Sequence, residues 1–185
     1  MTSHAPEHVR SRRAFDGRLV RVDLDTLRAP DGREFDLEIV RHPGAVAVVP
    51  LLSDPGSPDP SILLLEQYRY ATGGVIWEIP AGTLEPGEAP EECARRELLE
   101  ETGASAAKIE HLTTIYTTPG FTDERIHLFL ATGLTAGEPN HEGDEFIEVK
   151  PLPIIQILEM IRDGRIVDAK SIAALLWVAG FRLDL

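Results

Sequence analysis

The sequence predicts an α/β domain of the α+β kind, with a mixed β-sheet and a small N-terminal β-hairpin unit. Its 185 residues are about one domain's length, and 43% of them are apolar, enough to bury a core. Strand-like and helix-like segments follow one another without regular βαβ alternation, and no G-x-G-x-x-G occurs. These observations argue against a doubly wound dinucleotide-binding sheet and for a mixed sheet.

The N-terminal region is predicted to hold a tail and a hairpin. Residues 1–13 are polar, with basic residues at the end, and are predicted to be disordered. Acidic and apolar residues alternate from Glu34 to Ile39, which is the period of a half-buried strand, and Pro30-Asp31-Gly32 marks a turn before them. We therefore predict an N-terminal β unit over residues 14–42.

Residues 43–185 are predicted to form the main domain. Apolar segments between turn-forming residues predict strands at 46–52, 62–68, 75–79, 108–116, 125–131 and 146–149. Helix start and stop signals predict a helix at 90–102, and apolar faces indicate helices at 154–162 and 170–179. Gly103 stands where a glycine commonly closes the first of these helices.

The charge of the chain excludes several classes of protein. There are 18 Lys and Arg residues against 31 Asp and Glu, a formal net charge of −13. Such a surface repels phosphate backbones, so we predict no nucleic-acid partner. No apolar run approaches the ~20 residues that span a bilayer, and the N-terminus lacks a signal-peptide core. One cysteine, Cys93, excludes a disulfide framework, so we predict a cytoplasmic protein without a membrane partner.

The excess acid is concentrated in two runs. Residues 82–101 hold seven acidic residues against two basic ones, and residues 138–148 hold five acidic residues and no Lys or Arg. A solvated face is the ordinary interpretation of one such run. Two runs that together account for most of the net charge suggest a cation site.

Three glutamates of the first run fall on one helix stripe. Glu97, Glu100 and Glu101 are spaced i, i+3 and i+4, so a helix places them on one side. Like charges at that spacing destabilise a helix, so the stripe needs a compensating cation. Carboxylate oxygens suit Mg²⁺ or Mn²⁺. A solvent-facing acidic helix is the alternative for the triplet alone.

The spacing from Gly82 to Ala104 resembles the Nudix box, G-x5-E-x7-R-E-U-x-E-E-x-G-U, in which U is a bulky aliphatic residue. Every fixed residue matches, and only the last U, Ala104, is weak. The chain is therefore identified as a member of the Nudix hydrolase family. That resemblance implies an αβα sandwich and a metal-dependent attack of water on a diphosphate that is linked to another group.

The resemblance also implies roles for the box residues. The metal ligands it implies, for two or more ions per site, are Glu97, Glu100, Glu101 and the backbone carbonyl of Ala81. It implies that Glu88 and Arg96 order the box, and it places Glu100, Glu101 and Arg96 in the catalytic set.

Segments outside the box resemble one subgroup of the family. Pro119, 16 residues after Gly103, and the stretches 66–69 (EQYR) and 77–82 (WEIPAG) are similar to the ADP-ribose pyrophosphatases. Taken alone, Pro119-Gly120 would be an ordinary turn. The subgroup resemblance implies hydrolysis of ADP-ribose to AMP and ribose 5-phosphate, in a homodimer that exchanges its N-terminal β unit.

The subgroup resemblance implies substrate-binding residues as well. Arg69 would bind the diphosphate, since a guanidinium matches paired phosphate oxygens. Glu78 would hold the substrate or metal-bound waters, and Gly120 and Glu124 would lie close to the site.

Three further assignments depend on the most variable parts of the chain. A glutamate in the second acidic run would act as base or extra metal ligand, with Glu145 the first choice and Glu142 the second. Phe35, with Phe15 as the other candidate, would stack on adenine, although simple core or hairpin packing is the favoured interpretation of either ring. Arg41 would contact phosphate or ribose, with a surface arginine as the simpler interpretation.

Three other functions remain open. Another nucleoside-diphosphate sugar such as GDP-mannose, or a dinucleotide such as NADH or FAD, would suit the same box. A noncatalytic ADP-ribose sensor belongs to a different class, and a degraded box would indicate it. An RNA-end pyrophosphatase is disfavoured by the charge of −13.

Overall fold

The computed structural model describes residues 5–18, 20–54, 56–139 and 146–183. They form a mixed α/β fold, which confirms the predicted class. The chain divides into two compact units, one from residues 1–43 and 116–125 and the other from residues 44–115 and 126–185. In the described part of the chain, no helix is long and apolar enough to cross a membrane.

The first unit contains an antiparallel sheet of three strands. These are β1 (Glu7–Asp16), β2 (Arg21–Arg28) and β3 (Glu34–Arg41), with β2 in the centre. At the predicted turn between β2 and β3, the N–H of Gly32 donates to the carbonyl of Ala29 at 2.9 Å. The predicted hairpin is therefore present, with one further strand on its outer edge.

That further strand shows that the prediction of disorder was wrong for residues 7–13. Strand β1 is exposed along almost its whole length, so it carries no apolar period that sequence analysis could detect. It is held by its pairing with β2 and by polar side-chain bonds across that pair. The Arg13 Nε donates to Asp23 at 2.5 Å, and the Ser11 hydroxyl donates to Asp25 at 2.6 Å.

The segment of residues 117–124 joins the first unit at the edge of β3. The N–H of Val40 donates to the carbonyl of Phe121 at 2.7 Å, and the N–H of Asp123 donates to the carbonyl of Val40 at 3.3 Å. The Asp123 carboxylate also accepts from the N–H of His42 at 2.9 Å. Backbone pairing thus fixes the stretch that carries Gly120 and Glu124.

Among the described residues, the second unit holds two sheets, three α-helices and a short 3₁₀ helix (Tyr70–Thr72). Its strands are β4 (Ala45–Pro50), β5 (Ser61–Arg69), β6 (Gly74–Glu78), β7 (Ala81–Thr83), β8 (Ser105–Tyr116), β9 (Arg125–Thr135) and β10 (Ile147–Pro153). One sheet has the order β7-β4-β9-β8, with β4 parallel to β9, and the other has the antiparallel order β10-β5-β6. The helices are α1 (Pro90–Thr102), α2 (Ile154–Arg162) and α3 (Ala169–Phe181).

The predicted elements of this unit are all present, and β7 is an addition. Three residues, one of them a glycine, are too few to show a period, so this strand could not be recognised from its residues alone. It forms because it pairs antiparallel with β4, where Ala47 lies opposite Ala81 and Val46 opposite Gly82. This pairing fixes the backbone on which the box helix later packs.

Strand β4 is buried on both faces and separates two apolar clusters. Ala47 and Val49 belong to the cluster that includes residues of α2 and α3. Val46 and Val48 belong to the cluster that includes Ala94 and Leu98 of α1. Helices therefore cover both faces of the sheet, which is the αβα arrangement that the resemblance implied.

The C-terminus of α1 depends on a glycine with no room for a side chain. Gly103 has φ of 70°, a left-handed conformation, and its N–H donates to the carbonyl of Leu99 at 2.8 Å. A Cβ built at Gly103 would lie 2.6 Å from backbone atoms of Gly137, Glu138 and Pro139. The end of the box helix therefore packs directly on the backbone that precedes residue 140.

We expect Gly103→Ala to destabilise the protein more than Gly73→Ala does. Gly73 has φ of 76° but nothing within 4 Å of a built Cβ, so its substitution isolates the cost of the backbone conformation, about 1 kcal/mol. Gly103→Ala adds overpacking against backbone, for a total of about 3 kcal/mol. Urea unfolding measures both variants, and equal losses would show that the close contact at Gly103 is unimportant.

Candidate metal and diphosphate site

Helix α1 buries an acidic stripe beside its apolar face. Ala94 and Leu98 are fully buried against the sheet. On the adjoining stripe lie Cys93, Glu97 and Glu101, one turn apart, which are 0%, 9% and 3% exposed. Because the apolar residues anchor the helix, the two glutamates are carried into the interior with it. Buried carboxylates are costly unless they are paired, so their partners define the site.

Both buried carboxylates meet the backbone of β7. The N–H of Ala81 donates to Oε2 of Glu101 at 2.9 Å. A Cβ built at Gly82 would overlap the carboxylate of Glu97, so a side chain at this position would displace that carboxylate. The pairing of β7 with β4 holds Ala81 and Gly82 in place. The first glycine of the box therefore leaves room for the carboxylate of Glu97.

Arg96 gathers three carboxylates around one guanidinium. Its Nε and NH2 groups bind Glu88 at 2.9 and 3.0 Å, and its NH1 group binds Glu97 at 2.6 Å and Glu100 at 3.1 Å. The hydrogen bonds from Arg96 lower the pKa of Glu88 to about 2, while those to Glu88 raise the pKa of Arg96 above its usual range. This ion cluster fastens the loop before α1 to the helix.

Cys93 completes the buried stripe as a neutral thiol. Its Sγ lies 3.6 Å from the carbonyl of Thr83 and 3.2 Å from the NH2 group of Arg96. Burial, followed by the hydrogen bond with Glu88, raises the pKa of the thiol to about 12. A thiol with so little thiolate at neutral pH is inert, which agrees with a packing role.

The donor chemistry of this cluster fits a hard divalent cation. Glu97, Glu100 and Glu101 offer carboxylate oxygens, the kind of donor that Mg²⁺ and Mn²⁺ prefer, and the part of the carbonyl of Ala81 stays a prediction. As the side chains stand in the described ranges, no group of three or more His, Cys, Asp or Glu residues is arranged to hold a metal ion. Glu100 is bound to Arg96, but its side chain is 42% exposed, so it can exchange that partner for an ion.

A second charged cluster lies on the other sheet of the same unit. Arg69, at the end of β5, binds Glu78, at the end of β6, through two hydrogen bonds of 3.2 and 2.7 Å. The bonds to Glu78 raise the pKa of Arg69, and the negative charges of Glu101 and Asp168 contribute to the rise. The arginine expected to bind a diphosphate is therefore within electrostatic reach of the box carboxylates.

The first unit contains another group of the predicted residues. Arg41 is bound by three carboxylates of that unit, by Asp23 at 3.0 Å, by Asp123 at 3.2 Å and by Asp25. These bonds, led by the one to Asp23, raise the pKa of Arg41. Each of its nitrogens has a carboxylate partner in its own unit, which supports a structural role, and contact with substrate stays a prediction.

The other predicted residues of the first unit occupy its strands and its loop. Phe35 is half-buried on β3, where it pairs with Leu27 of β2. Gly120 is exposed in the loop. The carboxylate of Glu124 accepts from the hydroxyl of Thr117 at 2.8 Å and lies 3.6 Å from Nδ1 of His42. Their substrate roles stay predictions.

The predicted loop base lies outside the described residues. Both Glu145 and Glu142 fall between residues 139 and 146, so their assignment stays a prediction. The structure adds a residue that sequence reasoning missed, Lys170, whose Nζ lies 3.4 Å from Oε2 of Glu78. The sequence signal in this region was Asp168, directly before an apolar helix. That position is typical of an N-cap, but it gives no information about the partner of Lys170.

The fold and the site together define a class of protein: an αβα domain in which an acidic helix packs on a short glycine-containing strand. The model of one family, the NUDIX domain, matches residues 41–175. The chain therefore belongs to the NUDIX family, which confirms the identification from the box.

Two curated relatives are similar over almost the whole chain. One is the methanol dehydrogenase activator of Bacillus methanolicus, 41% identical over 169 residues, which are 90% of this chain and 88% of the relative. Another is the ADP-ribose pyrophosphatase of Bacillus subtilis, 38% identical over 177 residues, which are 95% of this chain and 93% of the relative.

A solved structure, described as an ADP compounds hydrolase, has the same fold. It superimposes with a TM-score of 0.85, covering 98% of this chain and 96% of that chain. Sequence identity is 22%, so this likeness concerns the fold alone.

We expect Glu88→Gln to reduce the acid sensitivity of the protein. The pKa of Glu88 is about 2 when folded and 4.5 in its ordinary state, so its contribution to stability is complete above pH 4.5 and is lost as the pH falls through about 2. Between those pH values, the free energy of unfolding should fall less steeply in Glu88→Gln than in wild type.

Urea unfolding at a series of pH values measures these slopes. Glu91→Gln is the matched control, because Glu91, in the first turn of α1, forms an exposed pair with Arg95. A wild-type slope in Glu88→Gln would contradict a folding role for the pair of Glu88 and Arg96.

Proposed function

We propose that the chain is a metal-dependent hydrolase that converts ADP-ribose and water to AMP and ribose 5-phosphate. The observation that carries this proposal is the meeting of two buried carboxylates, Glu97 and Glu101, at the backbone of Ala81 and Gly82. A protein has little reason to bury two like charges at one point unless a cation binds there. Similarity over nearly the full length to an ADP-ribose pyrophosphatase supports the substrate.

The residues that would hold metal are Glu97, Glu100, Glu101 and the carbonyl of Ala81. Their oxygen atoms favour Mg²⁺, or Mn²⁺ in its place, and we propose two or more ions per site. When bound, such ions supply neutralisation of the diphosphate, polarisation of the phosphorus and a lowered pKa for a bound water. Arg96 would compensate part of the negative charge of the carboxylates that it binds.

Arg69 would orient the diphosphate. Glu78 occupies its Nε and one of its terminal nitrogens, while the side chain is 40% exposed. A guanidinium has five N–H donors, so those that Glu78 does not use can meet phosphate oxygens. Glu78 would therefore act by fixing the arginine in the orientation that an anion requires.

The reaction would be a displacement at the adenosine-side phosphorus. The oxygen of water bonds to that phosphorus, the bond from it to the bridging oxygen breaks, and ribose 5-phosphate leaves with the bridging oxygen. Glu145, or Glu142 as second choice, would take the proton of the attacking water. Most of the rate would come from positioning and electrostatics, as is usual for phosphoryl chemistry.

We further propose a cytoplasmic homodimer. The division proposed from the sequence, with a β unit over residues 14–42 and a catalytic domain over residues 43–185, would let the β unit of one protomer serve its partner. Phe35 would then stack on adenine, with Arg41, Gly120 and Glu124 near the substrate.

A second candidate has a different class of activity. The relative in Bacillus methanolicus is named as an activator of methanol dehydrogenase, so a protein of this kind can be named for its effect on another enzyme. A noncatalytic ADP-ribose sensor is the form that this second candidate would take here. The complete set of box carboxylates favours hydrolysis, because binding alone does not require them.

We expect purified protein to hydrolyse ADP-ribose with the highest kcat/KM in a panel that includes GDP-mannose, NADH, FAD and diadenosine polyphosphates. EDTA should abolish turnover and Mg²⁺ should restore it. In water labelled with ¹⁸O, mass spectrometry should find the label in AMP. A better substrate elsewhere in the panel would overturn the assignment of ADP-ribose, and binding of ADP-ribose without hydrolysis of any compound would favour the second candidate.

We expect Glu101→Gln to lower kcat for ADP-ribose at least about 100-fold and to weaken Mn²⁺ binding, because a neutral amide replaces a buried ligand charge. Glu91→Gln, on the same helix, should keep wild-type kcat. Steady-state kinetics and titration with Mn²⁺ provide the two readouts. Normal metal affinity and turnover in Glu101→Gln would remove Glu101 from the site.

A further inference from the structure

A row of alternating charges leads from Arg69 to the start of α3. Arg69 binds Glu78 at 2.7 Å, Lys170 lies 3.4 Å from the same Glu78 oxygen, and Asp168 binds Lys170 at 2.9 Å. All four residues belong to the second unit. None of these four residues is among the proposed metal ligands. Two of them, Lys170 and Asp168, have no role in the reaction described above.

The two cations that contact Glu78 differ in their exposure to solvent. The Glu78 side chain is only 5% exposed, and the Lys170 side chain is 14% exposed, whereas that of Arg69 is 40% exposed. One buried carboxylate oxygen, Oε2, is therefore shared between an accessible arginine and an enclosed lysine. The exposed arginine is the cation that can meet a ligand from solvent, whereas the enclosed lysine contacts the carboxylates of Glu78 and Asp168.

Lys170 is held in its position by the first turn of α3. Asp168 caps this helix, accepting from the N–H and the hydroxyl of Ser171 at 3.0 and 2.6 Å. Burial raises the pKa of Asp168, but the charge of Lys170 and the bonds from Ser171 outweigh it and lower the pKa overall. The Ser171 hydroxyl also accepts from the N–H of Ile79, the residue after Glu78, at 2.9 Å.

The N-terminus of α3 influences how the positive charge of Lys170 is shared between Asp168 and Glu78. Asp168 receives hydrogen bonds and partial positive charge from α3, so it does not need the whole charge of Lys170. A pair of Arg69 and Glu78 alone would be neutral and would attract an anion weakly. With Lys170 compensating Glu78 from the buried side, positive charge remains on the exposed arginine.

We propose that Lys170 is a positioning residue for anion binding: it neutralises Glu78 from within, so that Arg69 presents its charge to a diphosphate. This inference rests on the proposed function, because that function supplies the diphosphate. A merely structural ion pair would affect stability and leave anion affinity and KM unchanged. A positioning role changes anion affinity, and changes it only while Arg69 is present.

The test uses the full chain with Lys170→Met and, separately, with Lys170→Gln. Both substitutions remove the positive charge, and glutamine keeps a polar side chain. Calorimetry with Mg²⁺ and imidodiphosphate, a diphosphate that resists hydrolysis, measures anion affinity directly, and steady-state kinetics separate KM from kcat. We expect a Kd and a KM about ten-fold higher in either variant, with kcat within about two-fold of wild type. Lys170→Arg should restore both values to within about three-fold.

Two further variants make the result specific. Lys150→Met removes a lysine of the same unit that binds Glu66 and Glu148, and it should leave affinity and KM unchanged. In a double-mutant cycle, Lys170→Met should cost nothing further once Arg69→Met is present, because the lysine acts through the arginine. The proposal would be overturned if the fold-increases in Kd of the two single variants multiplied in the double variant. Wild-type affinity in both Lys170→Met and Lys170→Gln would overturn it as well.

Failure of this proposal differs from failure of the proposed function. If wild-type protein hydrolyses no ADP-ribose, yet binds imidodiphosphate with an affinity that depends on Lys170 through Arg69, the role of Lys170 stands and the substrate is wrong. If ADP-ribose is hydrolysed and Lys170→Gln and Lys170→Met bind imidodiphosphate normally, the role of Lys170 is wrong and the hydrolase stands.

Discussion

The contact between Glu97 and Gly82 is the constraint on which the candidate site depends. The carboxylate occupies the space where any other residue at position 82 would have its Cβ, and Glu101 takes the adjacent N–H of Ala81. Strand β7 and helix α1 therefore cannot be arranged independently. The apolar face of α1 fixes its distance from β4, β4 fixes β7, and the two carboxylates arrive at one point as a consequence.

The helix and its acidic stripe could be predicted because their signals are local. Periodicity marked the apolar face of α1, Gly103 marked its end, and the spacing of Glu97 and Glu101 placed both on one side. Strands β1 and β7 could not be predicted, since their stability comes from pairing with β2 and β4. Lys170 was missed for a similar reason: its partner Glu78 is 92 residues earlier, and only the fold brings the two together.

The net charge of −13 acquires a physical meaning from this geometry. An acidic run on a solvent-facing helix would be explained by its hydration. Here Glu97 and Glu101 are buried, and Arg96 is the basic residue that binds Glu88, Glu97 and Glu100 together. One guanidinium cannot balance three carboxylates and a fourth nearby, so the cluster retains a negative charge that a divalent cation would satisfy.

The same arrangement of charges occurs twice, with opposite sign. In the box, buried carboxylates retain negative charge because Arg96 only partly compensates them, and the exposed member, Glu100, can change partner. At the ends of β5 and β6, a buried carboxylate is compensated twice, by Lys170 and Arg69, and the exposed member carries positive charge. A metal-bound diphosphate has both a cation and an anion to place. The negative charge of Glu101 contributes to the raised pKa of Arg69, so the two clusters interact electrostatically within the second unit.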